Sequence, residues 1–217
     1  MGEVEANAFD SMTLGQVKMF ADQFGIPGLA ASIRRSTAST YEQFTDALYS
    51  DLNDIVLRFQ ENPELRHGDG EDRLTIEIIT NLRAMGYNAG HEGKIGGHTD
   101  LAVKGKNNYL WIGEAKIHSG YDYLFQGFQQ LCTRYATGDA GQNRGGLIIY
   151  IKNKNSAKVI KEWRQRLEGY GLGGLAIDGC ANRPEYVFNS THTLERTGAD
   201  FYVKHIGVSL YFKPQDI

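Results

Sequence analysis

Apolar residues recur at the spacing of a helix in two stretches near the start of the chain. In residues 13–24 they lie three or four positions apart, at Leu14, Val17, Phe20 and Phe24. The Gly-Ile-Pro-Gly sequence at 25–28 ends this predicted helix, because glycine and proline interrupt helical hydrogen bonding. A second stripe of apolar residues predicts a longer helix over 41–60, and the polar residues 36–40 before it are typical of a linker.

The pattern changes after residue 62, where shorter apolar runs alternate with glycine-rich turns. The predicted elements here are helices over 71–85, 121–136 and 157–167 and strands over 87–92, 98–104, 109–116 and 146–151. Two or three more strands are expected between 172 and 212. We therefore predict an α/β domain with a mixed central sheet over residues 63–217. A helical extension over 1–62 precedes it, in which residues 1–40 are a candidate small module.

Composition limits the classes of protein to which this chain can belong. The 217 residues carry a formal charge of −3 and 41% are hydrophobic, which excludes a disordered chain and a strongly basic coating protein. No run of about 18 apolar residues is present, and the acidic start at 1–10 lacks the pattern of a secretory signal. We therefore expect a cytoplasmic protein in which Cys132 and Cys180 are buried and reduced.

Two acidic residues and a lysine in neighbouring predicted strands form the main chemical pattern of the chain. Glu114 and Lys116 are two residues apart on one strand, so their side chains point to the same face. If Asp100 lies on a hairpin partner, a two-residue turn between the strands places Gly113 opposite it. A three-residue loop or a bulge shifts the register by one and brings Asp100 opposite Glu114, about 5 Å away.

Two carboxylates at that separation repel each other unless they share a cation. Mg²⁺ prefers one or two carboxylates and completes its shell with water and substrate phosphate oxygens. Lys116, on the same face, could hold or deprotonate the attacking water and offset charge on the phosphate. The set therefore indicates hydrolysis of a phosphodiester, and the alternative is an exposed, salt-bridged sheet face.

The segments GGHTDLAV at 96–103 and YLWIGEAK at 109–116 resemble the motifs of the PD-(D/E)xK nuclease superfamily. This superfamily has the restriction-endonuclease-like fold and includes Holliday-junction resolvases and RecB-type and Mrr-type nucleases. The resemblance covers residues 71–151 and implies an αβββαβ core with a mixed central sheet.

The resemblance also implies roles for individual residues. Asp100, Glu114 and the backbone carbonyl of Ala115 would bind the metal ion, and Lys116 would be the catalytic lysine. The family's aspartate normally follows proline or another small residue, and in this chain it follows Thr99.

Many members of the superfamily add a glutamate from the first core helix. Glu71 lies on the apolar stripe of that predicted helix and Glu77 lies about 100° away, so Glu71 is the expected metal ligand and Glu77 the fallback. Glu71 could instead be a first-turn acid that the helix dipole favours. Several RecB-like branches carry a glutamine in the helix after the lysine, and Gln130 is the similar residue here. It could orient a phosphate or a metal-bound water, or be an ordinary polar flank.

Other polar residues carry weaker signals. His98 and His118 flank the motif, but a zinc site needs further nitrogen or sulfur ligands at close spacing. We therefore expect these histidines to be structural or to contact the ligands of the metal ion rather than the ion itself. A basic stretch from Lys152 to Arg166 could follow a phosphate backbone or be the solvated side of a helix. Residues 13–28 have a faint likeness to helical DNA-binding modules of the SAP type, although a packing or dimerisation element is the expected role.

The sequence therefore predicts a metal-dependent nuclease that hydrolyses phosphodiester bonds, in a setting of restriction, repair or defence. Its expected cofactor is Mg²⁺, for which Mn²⁺ could substitute. The expected partner is nucleic acid, and DNA is favoured on the family resemblance alone. Small members of the superfamily often act as dimers, so a homodimer or a subunit of a larger complex is expected. The alternative is a catalytically inactive protein of the nuclease fold that acts as a nucleic-acid-binding or assembly subunit.

Overall fold

The computed structural model describes residues 11–92 and 99–216. The chain divides into two compact units, residues 1–51 and 52–217. This division falls inside one long helix, whereas the sequence pattern placed the boundary after residue 62. The apolar stripe of that helix runs unbroken through both halves, so periodicity alone carries no sign of the division.

The first unit is helical. Its elements are α1 (Leu14–Gln23), α2 (Pro27–Thr37) and the first half of α3 (Tyr41–Glu61). A capping box starts α1. The backbone amide of Gln16 donates to the Thr13 hydroxyl, and the backbone amide of Thr13 donates to the Gln16 side chain. Within this unit Arg35 donates to both carboxylate oxygens of Asp51, at 3.1 and 3.2 Å.

The predicted linker over 36–40 is wrong at its start, because α2 continues to Thr37. The hydroxyls of Ser36 and Thr37 donate to backbone carbonyls one turn back, those of Ser32 and Ile33, at 2.9 and 2.8 Å. Serine and threonine hydroxyls that donate to carbonyls of the preceding turn are compatible with the last turn of a helix. Composition alone therefore does not distinguish such a turn from a loop.

The second unit contains the rest of α3, a short 3-10 turn at Pro63–Leu65 and all strands of the described chain. In order along the sequence its further elements are α4 (Glu71–Ala84), β1 (Asn88–Glu92), β2 (Thr99–Lys104), β3 (Leu110–Ile117), α5 (Tyr121–Gln129), a π-helical segment (Gln130–Tyr135), β4 (Arg144–Ile151), α6 (Ser156–Gly169), β5 (Ala176–Gly179), β6 (Val187–Thr193) and β7 (Asp200–Ser209).

Within the described residues seven strands form one mixed sheet in the order β1-β2-β3-β4-β7-β6-β5. The β3–β4 and β4–β7 pairs are parallel, and the other neighbouring strands are antiparallel. The predicted α/β class with a mixed sheet is therefore confirmed.

The predicted helix over 121–136 is only partly α-helical. From Gln130 the chain changes to a π-helical segment, whose turn contains more residues than an α-turn. The angular positions calculated for an α-helix therefore do not apply beyond this point. Such a segment depends on packing around it and leaves no periodic signature in the sequence.

The hairpin between β2 and β3 fixes the register on which the sequence argument depended. The Gly105 amide donates to the Tyr109 carbonyl at 2.8 Å, which leaves a three-residue loop. Asn107 and Asn108 in that loop have φ values of 57° and 60°, a conformation that asparagine tolerates well. Leu101 consequently lies opposite Gly113. The same register, continued by one residue, places Asp100 opposite Glu114.

One face of the sheet is covered by α5, the π-helical segment and α6. Its apolar cluster includes Ile112 on β3, Leu147 and Ile149 on β4, Phe128 on α5 and Trp163 on α6. Side chains alternate along β3, so Glu114 and Lys116 lie on the same face as Ile112. The predicted site residues of β3 thus project toward the helix-covered face and not toward open solvent.

On the other face of β3, Trp111 lies across two glycines. Gly113 and Gly146 are paired between β3 and β4, and a Cβ atom added to either would lie 2.8 or 2.6 Å from the Trp111 ring. The indole is fully buried. It fills the space that two missing side chains leave, and this packing fixes the central parallel pair of strands.

Two further observations concern expectations from composition. Both cysteines are free, and Cys132 is buried as predicted, but Cys180 is half-buried, so the expectation of burial is wrong for it. Among the helices of the described residues, none combines the length and the apolar character needed to cross a membrane.

We expect Gly146→Ala to lower the free energy of unfolding by about 1–3 kcal/mol, because the added methyl group overpacks the buried indole. Gly169 in α6 has no described atom within 4 Å of an added Cβ, so Gly169→Ala is the control and should be neutral or stabilising by up to about 1 kcal/mol. Urea unfolding of both variants measures the difference, and equal transition midpoints would contradict the packing described for Trp111.

Candidate active site

Four charged side chains from three elements meet beside the C-terminal end of β3. The ammonium nitrogen of Lys116 lies 2.7 Å from Glu114 Oε1, 3.5 Å from Glu71 Oε1 and 3.8 Å from Asp100 Oδ2. Glu71 is the first residue of α4, and Asp100 lies at the start of β2. We call these four residues the carboxylate cluster. The structure therefore brings together all four charged residues that the sequence selected.

The backbone of β3 holds two of the carboxylates directly. In the described residues β3 pairs with β2 from Leu110 to Gly113. Beyond it, the Ala115 amide donates to Asp100 Oδ2 at 2.9 Å and the Ile117 amide donates to Glu71 Oε2 at 2.7 Å. The side chains of Asp100 and Glu71 thus satisfy the amides that a neighbouring strand would otherwise bind. This arrangement orients both carboxylates toward the lysine.

The centre of the cluster is buried, Glu71 and Asp100 are partly exposed, and the negative charges outnumber the positive charge. The side chains of Glu114 and Lys116 are only 3% and 9% exposed. Glu114 Oε2 is buried and has no hydrogen-bond partner among the described residues. An unpaired buried carboxylate oxygen is costly unless a cation or proton satisfies it. This burial does not fit the alternative of an exposed, salt-bridged sheet face.

The environment shifts the pKa values of both members of the central ion pair. Burial, with the charge of Asp100 in addition, raises the pKa of Glu114 from 4.5 to about 7. Burial acts to lower the pKa of Lys116, but the hydrogen bond to Glu114 and the charges of the three carboxylates outweigh it and raise that pKa. Lys116 is consequently a firmly protonated ammonium group, while Glu114 takes up a proton more readily than an exposed glutamate does.

The donor atoms of the cluster are of the chemical type that a hard divalent cation prefers. Carboxylate oxygens are the ligands that Mg²⁺ prefers, and the unpartnered oxygen of Glu114 is of this kind. Among the described residues, no group of three or more His, Cys, Asp or Glu side chains has an arrangement that could hold a metal ion. The ammonium of Lys116 itself lies among the carboxylates. The predicted roles of Asp100, Glu114, Glu71 and the Ala115 carbonyl as metal ligands therefore rest on donor chemistry and stay predictions.

The fallback residue Glu77 is engaged elsewhere. Its Oε1 accepts hydrogen bonds from Nη2 and Nε of Arg66, at 2.6 and 3.2 Å. The Arg66 guanidinium also lies 4.4 Å from the ring centre of Phe59. Of the two helix glutamates that the sequence offered, Glu71 is the one that the fold places at the cluster.

Gln130 lies at the point where α5 becomes π-helical. It lines a cavity of about 350 Å³ together with Gln126, Gln129, Thr133 and Arg134. Its Oε1 is buried without a hydrogen-bond partner among the described residues. No hydrogen bond joins it to the cluster within the described chain. Burial and the charge of Glu114 raise the pKa of Tyr135, the last residue of the π-helical segment, so this segment passes near the cluster.

The remaining candidates lie outside the cluster or outside the described residues. His98 falls in the undescribed range 93–98. His118 Nδ1 lies 3.2 Å from Asn153 Oδ1, which is a structural contact between the ends of two strands. In the basic stretch, Lys152 donates to the Asp69 carbonyl, and Arg166 pairs with Glu162 at 3.0 Å. Lys158, Lys161 and Arg164 line a separate cavity of about 710 Å³ on α6.

Two residues that contact the cluster were not selected as site residues from the sequence pattern. The Tyr123 hydroxyl lies 3.4 Å from both carboxylate oxygens of Glu71, and its ring centre lies 5.5 Å from the Lys116 nitrogen. Gly127 lies against the aliphatic part of Lys116. A glycine inside a helix signals close packing, and that signal could have found Gly127. Tyr123 carries no such signal, since it is one of 12 tyrosines and its neighbour Tyr121 looks the same in sequence.

We expect the contribution of Glu114 to make metal-free protein less stable as pH rises from about 4.5 to about 7. The folded state keeps the proton of Glu114 up to a pKa of about 7, and the unfolded chain releases it near 4.5. The stability from this group is therefore full below the lower value and lost above the higher one. In Glu114→Gln this contribution is absent, so the free energy of unfolding of the variant should rise relative to wild type by on the order of 1–3 kcal/mol across that window.

Urea unfolding at a series of pH values, with a chelator present, measures this difference. If the free energy of unfolding varied with pH in the same way in the wild type and in Glu114→Gln, the raised pKa of Glu114 would be wrong.

Comparison of the chain with models of known protein families, with curated proteins and with solved structures finds no match.

Proposed function

We propose that this protein is a metal-dependent nuclease of the PD-(D/E)xK type with a restriction-endonuclease-like core, which hydrolyses phosphodiester bonds in DNA. The observation that carries the proposal is that Glu71, Asp100 and Glu114 each place a carboxylate oxygen within 3.8 Å of the Lys116 nitrogen. Three separate elements supply these residues. Three carboxylates around one lysine leave an excess of negative charge, which a divalent cation would offset.

The proposed roles follow from the chemistry of the side chains. Glu71, Asp100 and Glu114, with the Ala115 carbonyl, would hold Mg²⁺ or Mn²⁺, which supplies Lewis-acid stabilisation and an activated water when bound. Lys116 carries a firmly held proton in the metal-free cluster, which suits it to hold the attacking water or offset negative charge on the phosphate. Gln130 stays a candidate for orienting a phosphate through its amide.

The substrate class and the assembly rest on the family resemblance. The cluster supports the proposal of phosphodiester chemistry, whereas the choice of DNA comes from the likeness of the segments 96–103 and 109–116 to the superfamily. A homodimer or a larger complex belongs to the same proposal. The rival function is an inactive nucleic-acid-binding or assembly subunit of the same fold. The position of the Lys116 ammonium among the carboxylates favours that rival, because an ammonium and a metal ion would compete for the same oxygens.

We expect wild-type protein to cleave DNA only with Mg²⁺ or Mn²⁺, and we expect Asp100→Asn and Lys116→Met to lower the cleavage rate at least about a hundredfold. Each variant keeps the approximate shape of its side chain and removes its charge. The measurement is gel analysis of supercoiled, linear and single-stranded DNA, and of RNA, with each metal ion and with a chelator.

Glu77→Gln is the matched control, since it neutralises a carboxylate of the same helix that is paired with Arg66 outside the cluster. It should cleave at the rate of the wild type. Cleavage without metal, or equal cleavage by wild type and Asp100→Asn, would exclude the proposed mechanism. Salt-dependent binding of DNA without cleavage would support the inactive binding subunit.

A further inference from the structure

The stem of Lys116 passes directly beneath α5, at Gly127. A Cβ atom built on Gly127 would lie 2.8 Å from Cγ, 3.0 Å from Cε and 3.4 Å from Cδ of Lys116. Carbon atoms that are not bonded prefer separations of about 3.5–4.0 Å, so all three contacts would be repulsive. The contact extends along most of the lysine stem, and only a residue without a side chain leaves room for it at this position.

One turn earlier on the same helix, Tyr123 contacts the charged end of the same lysine. Residues i and i+4 lie on one face of a helix, so Tyr123 and Gly127 face the cluster together. The Tyr123 ring centre lies 5.5 Å from Lys116 Nζ, within the range of a cation–π contact. Its hydroxyl lies 3.4 Å from both carboxylate oxygens of Glu71. Tyr123 thus contacts two members of the cluster at once.

We infer that Tyr123 and Gly127 are positioning residues, which fix the ammonium of Lys116 against Glu114 by confining the lysine stem beneath α5. A lysine side chain is a flexible four-carbon stem with a strongly hydrated end, and left free it would reach for solvent. Gly127 provides the channel for the stem, and Tyr123 closes its outer end. The consequence for catalysis rests on the proposed nuclease function, whereas the packing itself does not.

A double-mutant cycle tests the channel without any assay of activity. Gly127→Ala should raise the equilibrium constant of unfolding at least about tenfold in the wild type, because it overpacks the stem. It should do the same in Lys116→Met, which keeps the stem and loses the charge. In Lys116→Ala, which removes the stem, the same substitution should be neutral or stabilising, since alanine is the better helix former. Equal effects in the three backgrounds would overturn the role of Gly127.

Chemical labelling tests the position of Lys116 in the folded protein and does not depend on the stability of Lys116 variants. The side chain is 9% exposed in the wild type, so acetylation by an N-hydroxysuccinimide ester, followed by mass spectrometry, should modify it slowly. Gly127→Ala and Tyr123→Leu should each raise the rate several-fold relative to the exposed Lys18. Gly169→Ala, an open helix position, is the control. An unchanged rate in either variant would overturn the role of that residue.

An activity assay distinguishes failure of the proposed nuclease function from failure of the positioning role. In protein that cleaves DNA, Gly127→Ala should lower kcat with little change in KM, because the lysine is displaced and the surface for substrate is kept. If wild-type protein cleaves no nucleic acid, the proposed function fails, and the cycle and the labelling rates still decide whether Tyr123 and Gly127 position Lys116. A raised KM with an unchanged kcat would place Gly127 in substrate binding and overturn its positioning role.

Discussion

The ion pair between Lys116 and Glu114 is the interaction on which this end of the sheet depends. It lies at 2.7 Å in a nearly solvent-free position, and two further carboxylates lie within 3.8 Å of the same nitrogen. A single ammonium therefore compensates acids from α4, β2 and β3 at once. If that charge were lost, the carboxylates would repel one another with little screening by water. The start of α4 and the start of β2 are consequently held near β3 by a charge that all three elements share.

The second constraint is the backbone of β3 beyond the Leu101–Gly113 pair with β2. Buried backbone amides must find hydrogen-bond partners. Here Ala115 and Ile117 donate to the carboxylates of Asp100 and Glu71. The backbone of β3 thus binds acidic side chains from two other elements directly. These two hydrogen bonds fix where the carboxylates of Asp100 and Glu71 lie.

Much of this could be predicted from the sequence, and the missing parts share a physical cause. Alternation along a strand is strictly local, so it correctly placed Glu114 and Lys116 on one face, and helical periodicity selected Glu71 over Glu77. The partner of Asp100 depended on the number of residues in one loop, which the sequence left open between two values. The π-helical segment at Gln130 and the division within α3 depend on packing between elements that are distant in sequence. No local pattern encodes them.

The charge state of Lys116 bears on what the cluster can do chemically. In the metal-free cluster the hydrogen bond to Glu114 and the carboxylate charges outweigh burial and raise the pKa of Lys116, so its amine keeps the proton near neutrality. That charge is bound most tightly while the carboxylates have no other cation, because each of them then draws on the one ammonium. Any positive charge that the carboxylates gain weakens their hold on the nitrogen, while α5 continues to confine the stem. Packing therefore fixes the stem of Lys116 independently of the charges, while the charges decide how strongly its ammonium is bound.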